Sequence, residues 1–454
     1  MIRDLDSQQF IDDLFKLMKD LFPITRSITG NGVRKTLKII QSQIPLKIIE
    51  IPSGTDVFDW KIPLEWNISD AFICNSKNEK IIDFKNSNLH VVQYSEKIDK
   101  KIKLKELKNH IHYLKNQPES IPYVTSYYKK NWGFCMSYND FKKLSEDEYH
   151  VFINSSHING SLTLGEYFIP GESKEEILIS TYVCHPSMCN DNLSGPVLVT
   201  FLAKYLSQFK MHYSIRFLFV PETIGAISWL FFNKNKTKNI VHGLVATCLG
   251  DKGCLTYKKT RDGDNYIDQT VEKVLIDSGK PFKIMNFWPS GSDERQYCSP
   301  GFNLPVGSLM RTPYDLFKEY HTSDDNLEFM DKTCLSDSLA IYVKIISSLN
   351  NNHKKFVLKQ KSKVHFKKSS PEEPVYLNLF PYCEPQLGKR NAYTNVGGIK
   401  NQSILEEKKS IQWILNLSDG YNSIIDIQKK SNLDLNLLID TASFLKNKML
   451  LKEI

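Results

Sequence analysis

The sequence predicts an α/β protein whose main domain is a sheet covered by helices on both faces. Between residues 165 and 350, segments of helical spacing alternate with continuous apolar runs, among them ILISTYVC, SIRFLFVP and GLVATCL. Strands that are buried on both faces produce such continuous runs, and strands that alternate with helices form a parallel sheet. A long helix around SDSLAIYVKIISSL is expected to close this region.

The N-terminal part predicts two helices and then a β-rich insertion. Apolar residues recur at helical spacing from Phe10 to Leu21 and again from Val33 to Ile40. After residue 46, short β-branched and aromatic runs such as KIIEIPSG and YHVFINSS alternate with polar clusters, which is typical of strands and turns. We therefore expect residues 1–46 and 155–352 to form the α/β domain and residues 47–154 to form an inserted β-rich domain.

The C-terminal part predicts a separate winged-helix-like domain over residues 370–454. It follows a Lys-rich and Pro-rich connector, HKKFVLKQKSKVHFKKSSPEEP. The pattern beyond the connector is that of a helix, an SDG turn, two further helices and a short strand, as in winged-helix domains. Because the connector is polar, residues 1–365 are expected to fold without this domain.

Composition excludes several classes of protein. The chain has 454 residues, 41% of them hydrophobic, which excludes a disordered protein. The net charge is +8, but the basic residues are spread along the whole chain. Because a nucleic-acid-binding face needs basic residues concentrated in one patch, this distribution argues against nucleic acid as a partner. No apolar stretch suits a secretory signal or a membrane span, so a cytoplasmic protein is expected. Nine cysteines, an odd number, favour reduced thiols over a disulfide framework; homo-oligomerisation is left open.

Polar residues of metal-ligand type stand at the ends of the predicted apolar strands. His185 follows ILISTYVC, Asp191 opens the next helix, Glu222 follows SIRFLFVP, and His321 lies near the end of the sheet region. Ligand sites of open α/β sheets lie at the carboxyl ends of the strands. A hydrolytic zinc site needs three nitrogen or oxygen ligands and an open position. His185, Asp191 and His321 supply such a set, and Glu222 is placed to act as the general base. Asp325, four residues after His321, is placed to hold a histidine ring or a helix start from behind the ligands.

Each of these residues also has a purely structural interpretation. His185 suits a hydrogen-bonded strand end, Asp191 suits a helix N-cap, and Glu222 suits a surface pair with a lysine such as Lys234. Cys184 and Cys189 suit metal ligands, but the sequence offers no second CxxC-like pair to complete a structural zinc site. The order His, Asp, Glu, His along successive strand ends favours the metal site.

This order of motifs resembles that of the zinc aminopeptidases, a family that includes bacterial leucyl aminopeptidases, glutamate carboxypeptidase and glutaminyl cyclase. The resemblance depends on DNLSG at 191–195, ETIG at 222–225, SDE at 292–294 and HTSDDN at 321–326. The stretches LFPITRSITGNGVRKTL and CHPSMCNDNLSGP resemble a bacterial aminopeptidase-like subfamily that has an inserted β domain and a C-terminal winged helix. The resemblance implies a mixed sheet flanked by helices.

The resemblance also implies roles for individual residues. His185 is the ligand of a first metal, Asp191 a carboxylate that bridges two metals, Glu222 the general base, and His321 the ligand of a second metal. An acidic ligand is expected after the third strand, where Asp251 is available.

Two further residues and one departure from the pattern complete the implied site. Asn192 and Asp293, within the DNLSG and SDE motifs, are expected to support the ligands from behind. The family has a second carboxylate directly after the base, but this chain has Thr223. A hydroxyl is a poor zinc ligand, so we expect one zinc ion, with two as the alternative.

The sequence therefore predicts a zinc-dependent hydrolase that cleaves an amide at the amino end of a small peptide or aminoacyl conjugate. The alternative is a catalytically inactive, ligand-sensing protein whose winged helix binds DNA or another protein. The candidate recognition helix, SNLDLNLLIDTASFLK, has few basic or amide side chains for contacts with phosphates or bases.

Overall fold

The computed structural model describes residues 7–354, 373–390, 392 and 402–454, and for residues 402–405 it describes the backbone alone. Most of the predicted connector, residues 355–372, lies outside the described residues.

The described strands, numbered along the chain, are β1 Lys47–Pro52, β2 Asp56–Val57, β3 Trp60–Lys61, β4 Glu65–Cys74, β5 Lys80–Asp83, β6 Ile98–Lys103, β7 Ile111–His112, β8 Phe134–Cys135, β9 Glu148–Ile158, β10 Ser161–Ile169, β11 Glu176–Tyr182, β12 Ser214–Val220, β13 Ile240–Ala246, β14 Leu255–Lys258, β15 Phe282–Met285, β16 Val306–Met310, β17 Val375–Asn378, β18 Asp419–Ser423 and β19 Leu451–Glu453.

The described α-helices are α1 Gln8–Leu21, α2 Asn31–Gln41, α3 Leu104–Leu107, α4 Tyr138–Phe141, α5 Ser194–Leu206, α6 Ile224–Phe232, α7 Tyr266–Asp277, α8 Glu294–Tyr297, α9 Lys332–Asn351, α10 Gln402–Leu417, α11 Ile424–Ser431 and α12 Leu435–Asn447. Among them, none combines the length and the apolar character that crossing a membrane requires.

Eight strands form one large sheet in the order β1-β10-β12-β11-β13-β16-β14-β15. Strands β12, β11, β13 and β16 are parallel, whereas β10 pairs antiparallel with β12 and β14 pairs antiparallel with β16. The predicted α/β fold with a mixed sheet is therefore confirmed. Because β11, β12 and β13 are parallel neighbours, their carboxyl ends lie at the same edge of the sheet.

The large sheet is covered on both faces, which explains the continuous apolar runs of the sequence. In β11, Ile177 and Ile179 belong to the core formed with α1, α2, α5, α7 and α9. Leu178, between them, belongs to the opposite core, formed with α6 and α8. Successive side chains of a strand point to opposite faces, so a strand that is buried on both sides is apolar at every position.

A second sheet, in the order β5-β4-β9-β6, has antiparallel pairings throughout. Its own apolar core includes Ile73, Val151 and Ile153. Strand β1, which the sequence analysis placed in the inserted domain, pairs with β10 at the edge of the large sheet instead. Its alternation buries Ile51 and exposes neighbouring residues, a pattern that an edge strand of either sheet would show, so the sequence alone did not distinguish the two. The other predicted domain boundaries stay predictions.

The C-terminal unit has a three-stranded sheet, β18-β17-β19, packed against α10, α11 and α12. It is not isolated from the rest of the chain. The buried Cys383 lies in the same apolar core as α6, and Asp59 accepts hydrogen bonds from Arg390, Lys389 and the backbone N–H of Gln386. These contacts argue against the expectation that residues 1–365 fold independently.

Candidate metal centre

The carboxyl ends of the parallel strands bring the predicted polar residues together. His185 follows β11, and Glu222 follows β12. Asp191 lies in the loop that leads from β11 to α5, and His321 lies in the loop between β16 and α9. One potential ligand atom from each of His185, Asp191 and His321 lies within 4.8 Å of the others.

The atoms of this group are placed as metal ligands would be. The Oδ2 atom of Asp191 is 2.9 Å from Nε2 of His321 and 3.4 Å from Nδ1 of His185. Both Asp191 Oδ2 and His321 Nε2 are buried, but the contact between them lacks hydrogen-bond geometry, and no other described group forms a hydrogen bond with either atom. Buried polar atoms without partners are costly, and a cation between them would remove that cost. Two imidazoles and a carboxylate therefore fit a zinc ion.

The electrostatics of the group favour positive charge. Burial by itself would raise the pKa of Asp191, but the imidazoles of His185 and His321 outweigh it and hold this pKa far below its usual range. Burial would lower the pKa of His185, but the Asp191 carboxylate raises it well above its usual value. A metal ion that displaces the imidazole proton would supply positive charge beside the Asp191 carboxylate in its place, so the group suits a bound cation.

Two neighbours fix the Asp191 carboxylate and its backbone. The buried Asp325 accepts the backbone N–H groups of Asn190 and Asp191 at 2.6 and 2.8 Å. The Tyr182 hydroxyl donates to Asp191 Oδ1 and lies 2.6 Å from the Thr247 hydroxyl. Burial raises the pKa of Asp325 to about 7, against the two N–H groups, which lower it.

Glu222 lies beside the group, and a strained turn follows it. Its Oε2 atom is 3.4 Å from Nε2 of His185, and its side chain is 25% exposed. The next residue, Thr223, has φ 65°, a conformation that is costly for a β-branched residue. The Thr223 N–H donates to Asp293 at 2.7 Å, and its hydroxyl accepts from Arg295 at 3.0 Å. These contacts hold the turn that carries Glu222.

Asp293 is fully buried, and its carboxyl group interacts electrostatically with that of Glu222. Burial raises the pKa of Asp293 well above its usual value, and the charge of Glu222 raises it further. Asn192 joins two elements of the fold beside Asp191. Its side-chain amide donates to Thr181 Oγ1 at 3.1 Å and to the Tyr182 carbonyl at 3.2 Å, and it accepts the N–H of Gly195. Asn192 thus ties the start of α5 to the end of β11.

Asp251, the acidic ligand expected after the third strand, does not belong to the described group of potential metal ligands. Its carboxylate accepts hydrogen bonds from the Thr312 hydroxyl and the Gly253 N–H, both at 2.6 Å, and from the Asn190 amide at 2.9 Å. With these donors its oxygens are already satisfied. The residue directly after β13 is the buried Thr247, so a neutral hydroxyl stands where the sequence reasoning expected a carboxylate.

Cys184 and Cys189, the alternative ligands considered from the sequence, do not belong to the described group of potential metal ligands. All nine cysteines of the chain are free. Burial raises the pKa of Cys184 to about 12 and raises that of Cys189 well above its usual value, so both are neutral thiols.

Sequence reasoning missed three residues that contact the group. Tyr182 binds Asp191, the Tyr123 ring packs against both imidazoles, and the guanidinium of Arg26 donates to the His185 carbonyl at 2.7 Å. Arg26 lies in the LFPITRSITGNGVRKTL stretch, which was the available signal. Tyr123 lies in the inserted segment, and no local pattern relates it to the strand ends.

Comparisons with known families agree with this architecture. Residues 15–352 match the sequence profile of a domain of unknown function, DUF4910, and residues 374–453 match that of a winged helix-turn-helix domain. A relative from Clostridium acetobutylicum is 52% identical over 440 residues, which are 97% of this chain and 96% of the relative. That relative is named a polysaccharide biosynthesis protein with an aminopeptidase-like domain.

Solved structures share the fold. A crystal structure from Clostridium acetobutylicum, provisionally described as a peptidase, has a TM-score of 0.75 and 50% identity, and the match covers 98% of this chain and 97% of that one. A zinc aminopeptidase from Bacillus subtilis has a TM-score of 0.55 and 11% identity, over 74% and 94% of the two chains. A peptidase M28 precursor from Shewanella amazonensis SB2B has a TM-score of 0.52 and 12% identity, over 80% and 99%.

At 11–12% identity the last two structures establish the fold alone, and they confirm the resemblance inferred from the motifs. The profiles and the close relative establish the family. The chain belongs to the DUF4910 family, with the fold of zinc aminopeptidases and a winged helix-turn-helix domain at its C-terminal end.

Proposed function

We propose that this protein is a zinc-dependent amide hydrolase that acts at the amino end of a small peptide or aminoacyl conjugate. The observation that supports the proposal best is the group of His185, Asp191 and His321, which has buried polar atoms that no hydrogen bond satisfies and has Glu222 beside it. This group lies at the edge of the sheet where α/β proteins bind ligands. Zinc aminopeptidases have the same fold.

In this scheme His185, Asp191 and His321 would hold one zinc ion. Zinc supplies Lewis acidity, which polarises a carbonyl group and lowers the pKa of water. Glu222 accepts the proton from the attacking water and delivers it to the leaving amine, for which its partial exposure and its place beside His185 suit it. The hydroxyls of Thr223 and Thr247 contact Arg295 and Tyr182. Neither residue supplies a carboxylate for a second ion, which favours a single zinc.

The relative's name widens the range of substrates worth testing. Its reference to polysaccharide biosynthesis suggests an amide borne on a sugar, such as an aminoacylated or acylated amino sugar, beside ordinary aminoacyl amides. Both substrate classes present an amide carbonyl to the same metal and base. The substrate panel should therefore include aminoacyl p-nitroanilides, dipeptides and N-acylated amino sugars.

The test compares the full chain with Glu222→Gln, loaded with zinc and assayed over this panel. The change keeps the size of the side chain but removes the base, so hydrolysis should fall by about 10²–10⁴-fold while the zinc content stays the same. Glu328→Gln is a matched control because Glu328 is exposed in the same loop region as His321. Full activity of Glu222→Gln would refute its role as base, and a zinc-loaded chain that cleaves no amide of the panel would refute the function.

A further inference from the structure

A segment of the inserted part of the chain, between β7 and β8, runs alongside the loop that contains His321. The backbone N–H of Tyr123 donates to the His321 carbonyl at 2.8 Å, and the N–H of Ser323 donates to the Ile121 carbonyl at 2.9 Å. The N–H of Ile121 in turn donates to the Ser323 hydroxyl at 2.9 Å. The two segments are therefore joined as a short antiparallel pair, although they are about 200 residues apart in sequence.

Two side-chain hydrogen bonds add to this pairing. The hydroxyl of Ser120, which is 2% exposed, donates to the Asp324 carboxylate at 2.6 Å. The side-chain amide of Gln117 donates to the Lys318 carbonyl at 3.0 Å. The loop around His321 is thus bonded to the inserted segment before, at and after the histidine.

His321 needs such support because its backbone is strained. Its φ is 56°, in the left-handed region that non-glycine residues seldom adopt. Conformations of this kind persist where the surrounding structure imposes them. The hydrogen bond from Tyr123 acts on the carbonyl of His321 itself.

The Tyr123 side chain also contacts both imidazoles of the candidate metal centre. Its ring centroid is 5.2 Å from that of His185 and 5.1 Å from that of His321, in edge-to-face geometry. The ring is 3% exposed, and its hydroxyl lies 3.1 Å from the Tyr127 hydroxyl. A ring held in this way restricts the rotation of both imidazoles, which lie 5.4 Å apart.

We propose that Tyr123 is a positioning residue of the metal centre, and that the inserted segment 117–123 is a required part of this centre. The inference rests on one part of the proposed function, namely that a zinc ion occupies the site. Partners that orient metal ligands typically account for about 10–100-fold in metal affinity. Loss of the Tyr123 ring is expected to weaken zinc binding within this range, whereas loss of its hydroxyl alone is expected to leave the zinc affinity near that of the wild type.

The experiment measures zinc affinity by competition with a chromophoric chelator, and the visible absorption bands of bound Co²⁺ report ligand geometry. The full chain is compared with Tyr123→Leu, Tyr123→Phe and the control Tyr421→Leu, because Tyr421 is 67% exposed in the C-terminal unit. We expect about 10–100-fold weaker zinc binding and altered Co²⁺ bands for Tyr123→Leu alone. Wild-type affinity and wild-type bands in Tyr123→Leu would overturn the proposal.

A second variant keeps the test decisive if Tyr123→Leu does not fold. Ser120→Ala removes one buried hydrogen bond to the His321 loop and should weaken zinc binding by about fivefold; unchanged affinity would contradict the role of the segment. Activity separates this proposal from the function. A wild type that binds zinc but cleaves no amide refutes the function and leaves the affinity comparison valid, whereas a wild type that binds no zinc refutes both.

Discussion

Asp325 offers the sharpest test of how the chain holds the candidate metal ligand Asp191. Its carboxylate is fully buried and accepts the backbone N–H groups of Asn190 and Asp191 at 2.6 and 2.8 Å. In Asp325→Asn one acceptor oxygen becomes an NH₂ group of nearly the same size. One of the two backbone N–H groups then faces a donor, and the loop that contains Asp191 must move.

The magnitude follows from these two bonds. Above the pKa of about 7, where Asp325 is ionised, a hydrogen bond to its charged carboxylate contributes about 1.5–3 kcal/mol, and a buried donor without a partner costs about 1–3 kcal/mol. We therefore expect Asp325→Asn to lower the free energy of unfolding by about 2–4 kcal/mol. Because the displaced loop contains Asp191, zinc affinity should also fall by about 10–100-fold, as is usual when a partner that orients a ligand is removed.

Two assays measure these effects. Urea unfolding of the metal-free protein gives the change in the free energy of unfolding, and chelator competition gives the zinc affinity. Asp264→Asn is a suitable control because Asp264 is exposed and distant in sequence from the site. If Asp325→Asn binds zinc as tightly as the wild type, Asp325 does not position Asp191, and the interpretation of its two short hydrogen bonds is refuted.

Three further predictions concern the metal, the C-terminal unit and the inserted sheet. Elemental analysis should find about one zinc per wild-type chain and none in His185→Ala or His321→Ala; two ions, or one retained in either variant, would contradict a shared site. Removal of residues 366–454 should cause aggregation, judged by size-exclusion chromatography, because it uncovers the core that contains Cys383; a monodisperse product would disprove this. Hydrogen bonds from Arg34 lower the pKa of the buried Glu65 to about 2 from its usual 4.5. Glu65 therefore stabilises the fold above pH 4.5, and this contribution is lost as the pH falls toward 2. Glu65→Gln should cost about 2–3 kcal/mol at pH 7 in urea unfolding and reduce the acid sensitivity of the fold, so unchanged acid sensitivity would count against the ion pair.

The α/β architecture was predictable because burial on both faces gives the strands an unbroken apolar sequence. In β11, both Ile179 and its neighbour Leu178 are buried, on opposite faces of the sheet. The same reasoning located His185 and Glu222, since parallel strands end at one edge. These inferences needed only local pattern and the geometry of parallel sheets.

Other features depend on contacts that no local pattern encodes. Tyr123 reaches the imidazoles through pairing with a loop about 200 residues away. Asp251 looked suitable because it follows β13 closely, but its oxygens are satisfied by Thr312 and Gly253. For β1, the edge of either sheet satisfied the alternation of the sequence, and only tertiary pairing with β10 decided between them.

The C-terminal unit is connected to the candidate base by a specific set of contacts. One nitrogen of Arg295 donates to the Thr223 hydroxyl at 3.0 Å, and another lies 3.0 Å from the carboxylate of Glu384, which lies within the winged helix-turn-helix match at residues 374–453. Both charged side chains are mostly buried, so breaking this pair would leave a poorly solvated charge beside the strained turn that follows Glu222. A displacement of the C-terminal unit would therefore alter the surroundings of Glu222 directly, and the two units cannot be expected to act independently.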